Sequence, residues 1–194
     1  MITFVRHRLW PAVALLVAMT IITGVIYPLV VTAVAQVAFP SQANGSMVVT
    51  ADGRTVGSSL IGQAFDRPQY FWGRPSAAGE GGYDASGSAG SNLGPTSRAL
   101  IDRIAADVDR VRAANGGGPV PVDLVTTSAS GLDPQISPAA ADYQVARVAA
   151  ARSMPEADVR AAVGHHTEQP VLGFLGQPRV NVLLLNLDLD GLLR

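Results

Sequence analysis

The chain has 194 residues, a net charge of −1 at pH 7 and no block of basic residues, so we predict no nucleic-acid binding. It contains no cysteine, which excludes disulfides, thiolate metal sites and cysteine nucleophiles. All 14 basic residues are arginine, so the lysine that Walker A loops and protein kinases place on nucleotide phosphates cannot be supplied by this chain.

The first predicted element is a membrane-spanning helix. Residues 9–51 carry no formal charge, and residues 9–39 are dominated by Ala, Val, Leu and Ile. Roughly 20 apolar residues are enough to cross the hydrocarbon core as a helix. A cleavable signal peptide is the alternative, because Ala-Val-Ala at 33–35 has the form of a cleavage site. The apolar region of a signal peptide, however, is only about 7 to 15 residues long.

The flanking charges predict the direction of this helix. Arg6 and Arg8 precede it, whereas the next positive charge after it is Arg54. Positive charges are retained on the cytoplasmic side, so the N-terminus is predicted to be cytoplasmic. We therefore predict a single-pass protein of the cell (inner or plasma) membrane. Its predicted parts are a cytoplasmic N-terminus, a transmembrane helix and an extracytoplasmic domain, at residues 1–8, 9–39 and 40–194.

Small residues within the predicted span indicate a partner helix. Thr20 and Gly24 lie four residues apart on one helix face, and Tyr27 and Pro28 follow in the outer part of the span. Small residues at this spacing let another helix backbone approach closely. We predict these four residues as partner contacts. The alternative is that Gly and Pro are simply commoner in membrane helices than in soluble ones.

The outer domain begins with a predicted β-hairpin. Residues 46–50 and 54–57 favour strands, and Asp-Gly at 52–53 accepts the positive φ angles of a tight turn. Residues 59–65 are predicted to form another short strand. Residues 66–95 are rich in Gly, Pro, Ser and Asn but also hold four aromatic residues, so we predict a long irregular segment that these aromatics pin in place.

Apolar spacing and capping signals predict three helices, at residues 97–114, 137–151 and 153–164. Ser137 is the predicted N-cap of the second, with Pro138 at its first position. Ser153 and Glu156 have the spacing of a capping box for the third.

The last predicted element is a strand over residues 179–189, buried on both faces because apolar residues occupy both parities. At the end of this strand, Asp188 and Asp190 would share one face and could attract cations, but a solvated strand end is the commoner explanation. Strands and helices thus alternate loosely along the outer domain. We predict an α/β (or α+β) extracytoplasmic domain with a small mixed sheet, preceded by one N-terminal transmembrane helix.

Four ordered groups of motifs carry a family resemblance along nearly the whole chain. They are TGVIYPL at 23–29 with QANGS at 42–46, GSSLIGQ at 57–63 with YFWGRPSA at 70–77 and SNLGP at 91–95, VTTSASGLDP at 125–134 with ISPAA at 136–140, and LG at 172–173 with GQP at 176–178, VNVL at 180–183 and LNL at 185–187. Together they resemble the C subunit of the Kdp potassium-transporting ATPase.

The resemblance implies an accessory subunit of a high-affinity, ATP-driven potassium uptake complex. Its implied partners are a potassium-conducting A subunit, an ATP-hydrolysing B subunit, a small F subunit as a further candidate, and membrane lipid. It also implies a catalytic chaperone that supports ATP binding by the B subunit. We accordingly predict a non-catalytic subunit with no covalently bound cofactor, which meets ATP through the catalytic subunit. The alternative is a membrane-tethered extracytoplasmic enzyme.

The resemblance also makes Gln144 a nucleotide-binding candidate, since the turn before its helix could cradle a phosphate. The predicted orientation places that turn across the membrane from cytosolic ATP, which favours turn and cap roles. Aromatic residues and arginine are enriched at interface cores. We therefore predict partner contacts in the irregular segment at Tyr70, Phe71, Trp72 and Arg74, the alternative being a segment pinned to its own domain.

Catalytic and metal sites are weaker candidates. His165 and His166 are adjacent and would project apart on a helix, so we interpret them as a helix-end feature instead of a metal site. A triad of Ser128 or Ser130 with His165 and Asp133 lacks a Gly-x-Ser-x-Gly elbow. We predict no metal site and no hydrolase chemistry from these residues.

Overall fold

A computed structural model describes residues 2–193, with side chains from residue 7 to residue 193. The chain divides into two compact units, residues 1–46 and residues 47–194. The predicted domain boundaries include Met1 and Arg194, and the predicted orientation uses the charge of Arg6. Met1, Arg194 and the side chain of Arg6 lie outside the described part of the chain.

The first unit is helical and contains the predicted span. Helix α1 covers Ile2–Ile21, a π-helical turn follows at Ile22–Ile26, and helix α2 covers Tyr27–Ala38. Over His7–Ala38 the helix is long and apolar enough to cross a membrane. A short helix, α3, follows at Pro40–Ala43. The predicted single N-terminal apolar helix is therefore confirmed as a candidate span.

Pro28 explains the π-helical turn. Proline has no backbone N–H, and in a regular helix its ring collides with the carbonyl four residues before it, which is that of Gly24. One widened turn relieves this collision, and the Tyr27 N–H donates to the Ile22 carbonyl five residues back. Pro28 and Gly24 thus set a local irregularity in the helix.

The predicted hairpin is confirmed in the second unit. Strand β1, Met47–Val49, pairs antiparallel with strand β2, Thr55–Ser58. The strand predicted at residues 59–65 is wrong, because these residues form a turn and irregular backbone. Their polar groups are taken by other segments: the Gly62 N–H donates to the Leu132 carbonyl at 2.8 Å, and the Ser59 carbonyl accepts from Asn181 at 2.7 Å.

The three predicted helices are confirmed as α4, α5 and α6, which cover Arg98–Ala114, Pro138–Arg152 and Glu156–His165. The Ser137 hydroxyl accepts from the Ala140 N–H at 3.1 Å, as its N-cap role requires. The capping box is wrong: Ser153 has φ +54° and ends α5, while Pro155 precedes α6. A 3₁₀ turn lies at Val122–Leu124.

The C-terminal segment differs most from the prediction. The strand expected at residues 179–189 is wrong, because only Arg179–Asn181 forms a strand and Val182–Leu189 forms a helix, α7. Asn181 makes the change of direction, since its side-chain oxygen accepts from the Leu184 N–H at 3.1 Å. Helix α7 is buried on most sides, which is why its sequence is apolar at both parities.

The second sheet has three very short strands. Strand β3, Gln135–Ile136, and strand β4, Thr167–Glu168, flank strand β5, Arg179–Asn181. Every strand pair among the described residues is antiparallel. The sheets are small as predicted, but a mixed sheet is wrong, and the domain is α+β.

Helix α5 is central to the main core. Its buried face carries Ala140, Ala141, Gln144, Val145, Val148 and Ala149. This face packs in one hydrophobic cluster with residues from the irregular segment, α6 and α7, including Phe71, Val159 and Leu185. The small alanines let neighbouring backbones approach α5 closely, and so the irregular segment can lie directly on it.

Candidate functional site

The aromatic part of the irregular segment is held on its own domain by side-chain amides. Phe71 is completely buried. Its N–H donates to the Asn186 side-chain oxygen at 2.8 Å, and its carbonyl accepts from the Asn186 side-chain nitrogen at 3.0 Å. The amide thus pairs with the Phe71 backbone as a neighbouring strand would. Asn186 was not predicted as important, because the strand expected there hid its inward direction on α7.

The side-chain amide of Gln144 pairs in the same way with the backbone of the next residue, Trp72. Its side-chain oxygen accepts from the Trp72 N–H at 2.8 Å and from Arg147 at 2.6 Å. Its side-chain nitrogen donates to the carbonyls of Trp72 at 3.2 Å and Ala140 at 3.1 Å. Both donor hydrogens and both acceptor positions of the amide are therefore occupied. Gln144 is completely buried beneath the Trp72 backbone.

Arg147 joins this network from the following turn of α5. Its guanidinium donates to the Tyr70 carbonyl at 3.0 Å and to the Asn115 side chain at 2.9 Å, and it stacks 4.2 Å from the centre of the Trp72 ring. Burial lowers the pKa of Arg147 to about 10, so the group stays cationic at neutral pH. Arg147 fixes both the backbone and the ring of the segment.

Arg152 ties the same segment to the C-terminal helix. It donates to the Gln69 carbonyl, to the Leu189 carbonyl and to the Asp190 carboxylate at 2.7, 2.7 and 2.8 Å. The Tyr70 hydroxyl also donates to Asp190, at 3.1 Å. Asp190 is therefore engaged in an ion pair beside the segment. The sequence analysis predicted that Asp188 and Asp190 share one face of a strand. This prediction is wrong, because Asp188 lies on helix α7 and Asp190 follows the end of that helix.

Arg74 links the irregular segment to the turn of residues 125–134. It donates to the carbonyls of Thr126 and Thr127, each at 3.2 Å, and forms an ion pair with Asp133 at 3.2 Å. Nearby, the Ser76 hydroxyl donates to the Gly131 carbonyl at 2.6 Å. Two motif groups that are about 50 residues apart in sequence thus form one connected surface.

Tyr83, which is partly buried, belongs to the same surface. Its hydroxyl donates to the Arg74 carbonyl at 2.7 Å. Burial raises the pKa of Tyr83 to about 12, with the Asp133 charge adding to the effect and Arg74 opposing it. In an unfolded chain a tyrosine ionises near pH 10. The folded chain keeps its proton between these values, so Tyr83 supports the fold fully below pH 10 and progressively less as the pH rises towards 12.

We therefore expect a specific alkaline loss of stability that depends on Tyr83. Between pH 9 and pH 11 the wild-type chain should lose about 1 kcal/mol more of its free energy of unfolding than Tyr83→Phe, which has no proton to release. Urea unfolding of the full chain in detergent at the two pH values measures this difference. Equal losses in both proteins would show that the hydroxyl ionises normally in the folded state.

Part of the irregular segment lines a cleft of about 270 Å³. Its walls include Trp72, Arg74, Tyr83 and Arg110, and Arg110 lies 5.4 Å from the Trp72 ring centre. Tyr70, Trp72 and Arg74 are partly exposed, whereas Phe71 is not. The segment is thus pinned on its own domain. Partner contact by Tyr70, Trp72 and Arg74 stays a prediction, and Phe71 could contribute only by supporting its neighbours.

The contact residues predicted in the span are on the helix surface. Thr20 is exposed and its hydroxyl donates to the Leu16 carbonyl at 2.8 Å, while Gly24 has open space where a side chain would be. Tyr27 and Pro28 begin α2 and are exposed within the helical unit. A helix surface with a gap at Gly24 is compatible with close helix packing, and the contact itself stays a prediction.

The alternative catalytic and metal-ligating groups are engaged in local structure. The Ser128 and Ser130 hydroxyls accept from backbone N–H groups of their own turn, and Asp133 pairs with Arg74. His165 ends α6, and His166 lies 3.0 Å from Asp188. Within the described part of the chain, no three His, Asp or Glu residues are grouped as a metal site requires.

Comparison with known proteins gives one consistent family. Residues 9–191 match the family model described as "K+-transporting ATPase, c chain". The chain is 60% identical over 186 residues to the potassium-transporting ATPase KdpC subunit of Sorangium cellulosum, covering 95% of this chain and 97% of that protein. It is 58% identical over 183 residues to the subunit of the same name from Caulobacter vibrioides, covering 94% and 92%.

Proposed function

The chain belongs to the KdpC family, the c chain of K+-transporting ATPases, and on this premise we propose that it is a non-catalytic subunit that stabilises the pump from the outer side of the membrane. The match over residues 9–191 carries the proposal, because it includes both the candidate span and nearly all of the folded domain. Membership of the family implies partner subunits. The proposed partners are a potassium-conducting A subunit, an ATP-hydrolysing B subunit and a small F subunit.

The charge distribution supports the proposed orientation. Arg8 is the last charge before the uncharged stretch of residues 9–51, and Arg54 is the first positive charge after it. This bias favours a cytoplasmic N-terminus and an extracytoplasmic domain. In that arrangement Thr20, Gly24, Tyr27 and Pro28 would meet a membrane-embedded partner through the helix surface.

The proposed catalytic-chaperone role is indirect. The sequence has no lysine for a phosphate-binding loop, and the amide of Gln144 has its full set of partners inside the domain. Contact between Gln144 and a nucleotide would require the Trp72 backbone to move away. We therefore place ATP on the catalytic subunit, whose affinity this chain would change through subunit contacts.

A membrane-tethered enzyme is not favoured as an alternative. Catalysis by an activated nucleophile needs a base within hydrogen-bond reach of it and an orienting group behind the base. In the proposed triad, Asp133 is paired with Arg74 instead, and Ser128 and Ser130 serve their own turn. The side chains of Gln144, Arg147 and Arg152 hydrogen-bond to the backbone of the irregular segment. Their role is therefore to hold this segment in place.

Single-cysteine labelling in cells that make the whole complex tests this function, because the natural chain has no cysteine. Ala129→Cys lies in an exposed turn near Asp133, and His7→Cys lies at the start of the span. We expect a membrane-impermeant maleimide to modify the Ala129→Cys variant and not the His7→Cys variant. We also expect the other ATPase chains to co-purify with the tagged chain. Labelling only at residue 7 would overturn the orientation, and purification of the chain alone would overturn the subunit role.

A further inference from the structure

The sequence contains two asparagine–glycine pairs, and in both the asparagine ends a helix. Asn44 ends α3 with φ −101° and ψ 20°, and Asn115 ends α4 with φ −112° and ψ 19°. Both sites also have two hydrogen bonds to helix carbonyls, one from the asparagine side-chain nitrogen and one from the N–H two residues later. These join Asn44 to Pro40 and Ser46 to Ser41 at 2.7 and 2.9 Å, and Asn115 to Val111 and Gly117 to Arg112 at 2.7 and 3.0 Å. The two asparagines are thus held in almost the same conformation.

An asparagine that precedes glycine can lose ammonia without an enzyme. The backbone nitrogen of the glycine gives its proton to hydroxide and attacks the side-chain carbonyl carbon. A C–N bond forms, the bond to the side-chain nitrogen breaks, and ammonia leaves with a proton from water. Water then opens the succinimide ring to aspartate or isoaspartate. Glycine favours ring closure because it has no side chain beside the attacking nitrogen and few backbone restrictions.

The two pairs differ at the attacking nitrogen. The Gly45 N–H donates to the Gln42 carbonyl at 3.0 Å, whereas the Gly116 N–H has no acceptor among the residues that the structure describes. Gly116 is exposed, and a Cβ added at any of the glycines of residues 116–118 would meet nothing within 4 Å. Ring closure requires the peptide after the asparagine to rotate. At Gly116 the attacking nitrogen can make this rotation without losing a hydrogen bond of its own.

The two aspartate–glycine pairs of the chain are held in the same way as Asn44. The Gly53 N–H, after Asp52, donates to the Thr50 carbonyl at 2.9 Å. The Gly191 N–H, after Asp190, donates to the Asp188 carbonyl at 2.8 Å. Among the four glycines that follow asparagine or aspartate, only Gly116 therefore has an attacking nitrogen without an acceptor in the described part of the chain.

We propose that Asn115 is a site of spontaneous deamidation, in which the Gly116 nitrogen displaces ammonia from the asparagine side chain and water opens the ring. The modification adds a negative charge beside Arg147, whose Nε donates to the Asn115 side-chain oxygen at 2.9 Å. The other described acceptors of Arg147 are carbonyl and amide oxygens, so an aspartate would give this guanidinium a carboxylate partner. It would also remove the donor to the Val111 carbonyl. Deamidation thus changes the network that holds Trp72, whatever the subunit role of the chain.

Peptide mass spectrometry of the purified full chain, incubated in detergent at mildly alkaline pH, tests the proposal, with Asn44 as the internal control. We expect Asn115 to deamidate about fivefold faster than Asn44, since the Gly45 nitrogen must first lose a backbone hydrogen bond. In heavy-oxygen water the product at residue 115 should gain one labelled oxygen. In urea the two rates should become similar, because the hydrogen bond is then absent at both sites. Equal rates in the folded chain, or an unchanged ratio in urea, would overturn the proposal.

A variant identifies the attacking group. Gly116→Ala keeps Asn115 and the backbone nitrogen but places a methyl group beside that nitrogen, which hinders ring closure. We expect deamidation at Asn115 to slow severalfold in this variant, while the rate at Asn44 stays at its wild-type value. Gly94→Ala, far from both sites in sequence and with open space around it, is the matched control and should change neither rate. An unchanged rate at Asn115 in Gly116→Ala would contradict attack by the backbone nitrogen.

Discussion

Replacing Gly131 with alanine is expected to destabilise the outer domain by about 3 to 5 kcal/mol, from backbone strain together with a steric clash. Gly131 is buried in the turn of residues 125–134 and has φ +67°. An added Cβ would lie 2.5 Å from the Ala89 carbonyl oxygen and 2.8 Å from the Ala78 nitrogen. Both atoms belong to the backbone of the irregular segment, so neither can move without separating the two motif groups.

Two other glycines provide matched controls for this prediction. Gly116 has φ +80° with open space around it, so Gly116→Ala should cost about 1 kcal/mol from backbone strain alone. Gly94 has neither a positive φ angle nor a neighbour within 4 Å, so Gly94→Ala should be close to neutral. Urea unfolding of the three variants, followed by Trp72 fluorescence in a Trp10→Phe background, would measure the order. A Gly131→Ala cost no larger than that of Gly116→Ala would contradict the close packing.

Replacing Gln144 with methionine should reduce the free energy of unfolding by about 3 kcal/mol. Methionine has nearly the same volume, but it leaves the Trp72 N–H and carbonyl without their buried partners and removes an acceptor from Arg147. An unpaired buried polar group costs about 1 to 3 kcal/mol, and more where a charge is involved. The same fluorescence measurement applies, and Trp72 itself reports whether the segment has loosened.

The matched control for Gln144 is Asp142→Asn on the exposed face of the same helix. It removes only a solvent-exposed ion pair with Arg160, so the free energy of unfolding should stay close to that of the wild-type chain. The comparison also tests the nucleotide-binding prediction for Gln144. A Gln144→Met complex with normal domain stability and weakened ATP affinity would indicate a nucleotide role and contradict the structural one.

These two predictions concern the same connected surface. Gly131 lets the turn approach the irregular segment, and Gln144 holds the backbone at Trp72. Arg74 joins them through Thr126, Thr127 and Asp133. The motifs that carry the family resemblance therefore specify how a long segment without regular structure is held in one conformation. A partner subunit would then meet a preformed cleft at Trp72, with little ordering required on binding.

Local patterns predicted the elements whose stability comes from nearby residues. The uncharged apolar run gave the candidate span, Asp52-Gly53 gave the hairpin, and the spacing of apolar residues with Ser137 and Pro138 gave α4 and α5. In each case the signal lies within about one element length. Turn chemistry, capping and periodicity operate at that range.

The C-terminal segment was mispredicted because its burial comes from distant parts of the chain. A short apolar run that is covered on most sides looks the same to periodicity whether it is a strand or a helix. Asn181 decides between them by capping α7, and α7 then turns Asn186 inward to pair with Phe71. The polar side chains that hold the irregular segment could not be recognised until that direction was known.

The sequence by itself determined the candidate span, the exclusion of phosphate-binding lysine and cysteine chemistry, and the family of the chain. Composition, hydropathy and ordered motifs are properties of the linear chain, so they can be read from it directly. Only the tertiary structure decided that Gln144 and Phe71 are enclosed and that Leu172 and Phe174 are exposed. Burial depends on which segments pack together, and here the partners are often more than 70 residues apart.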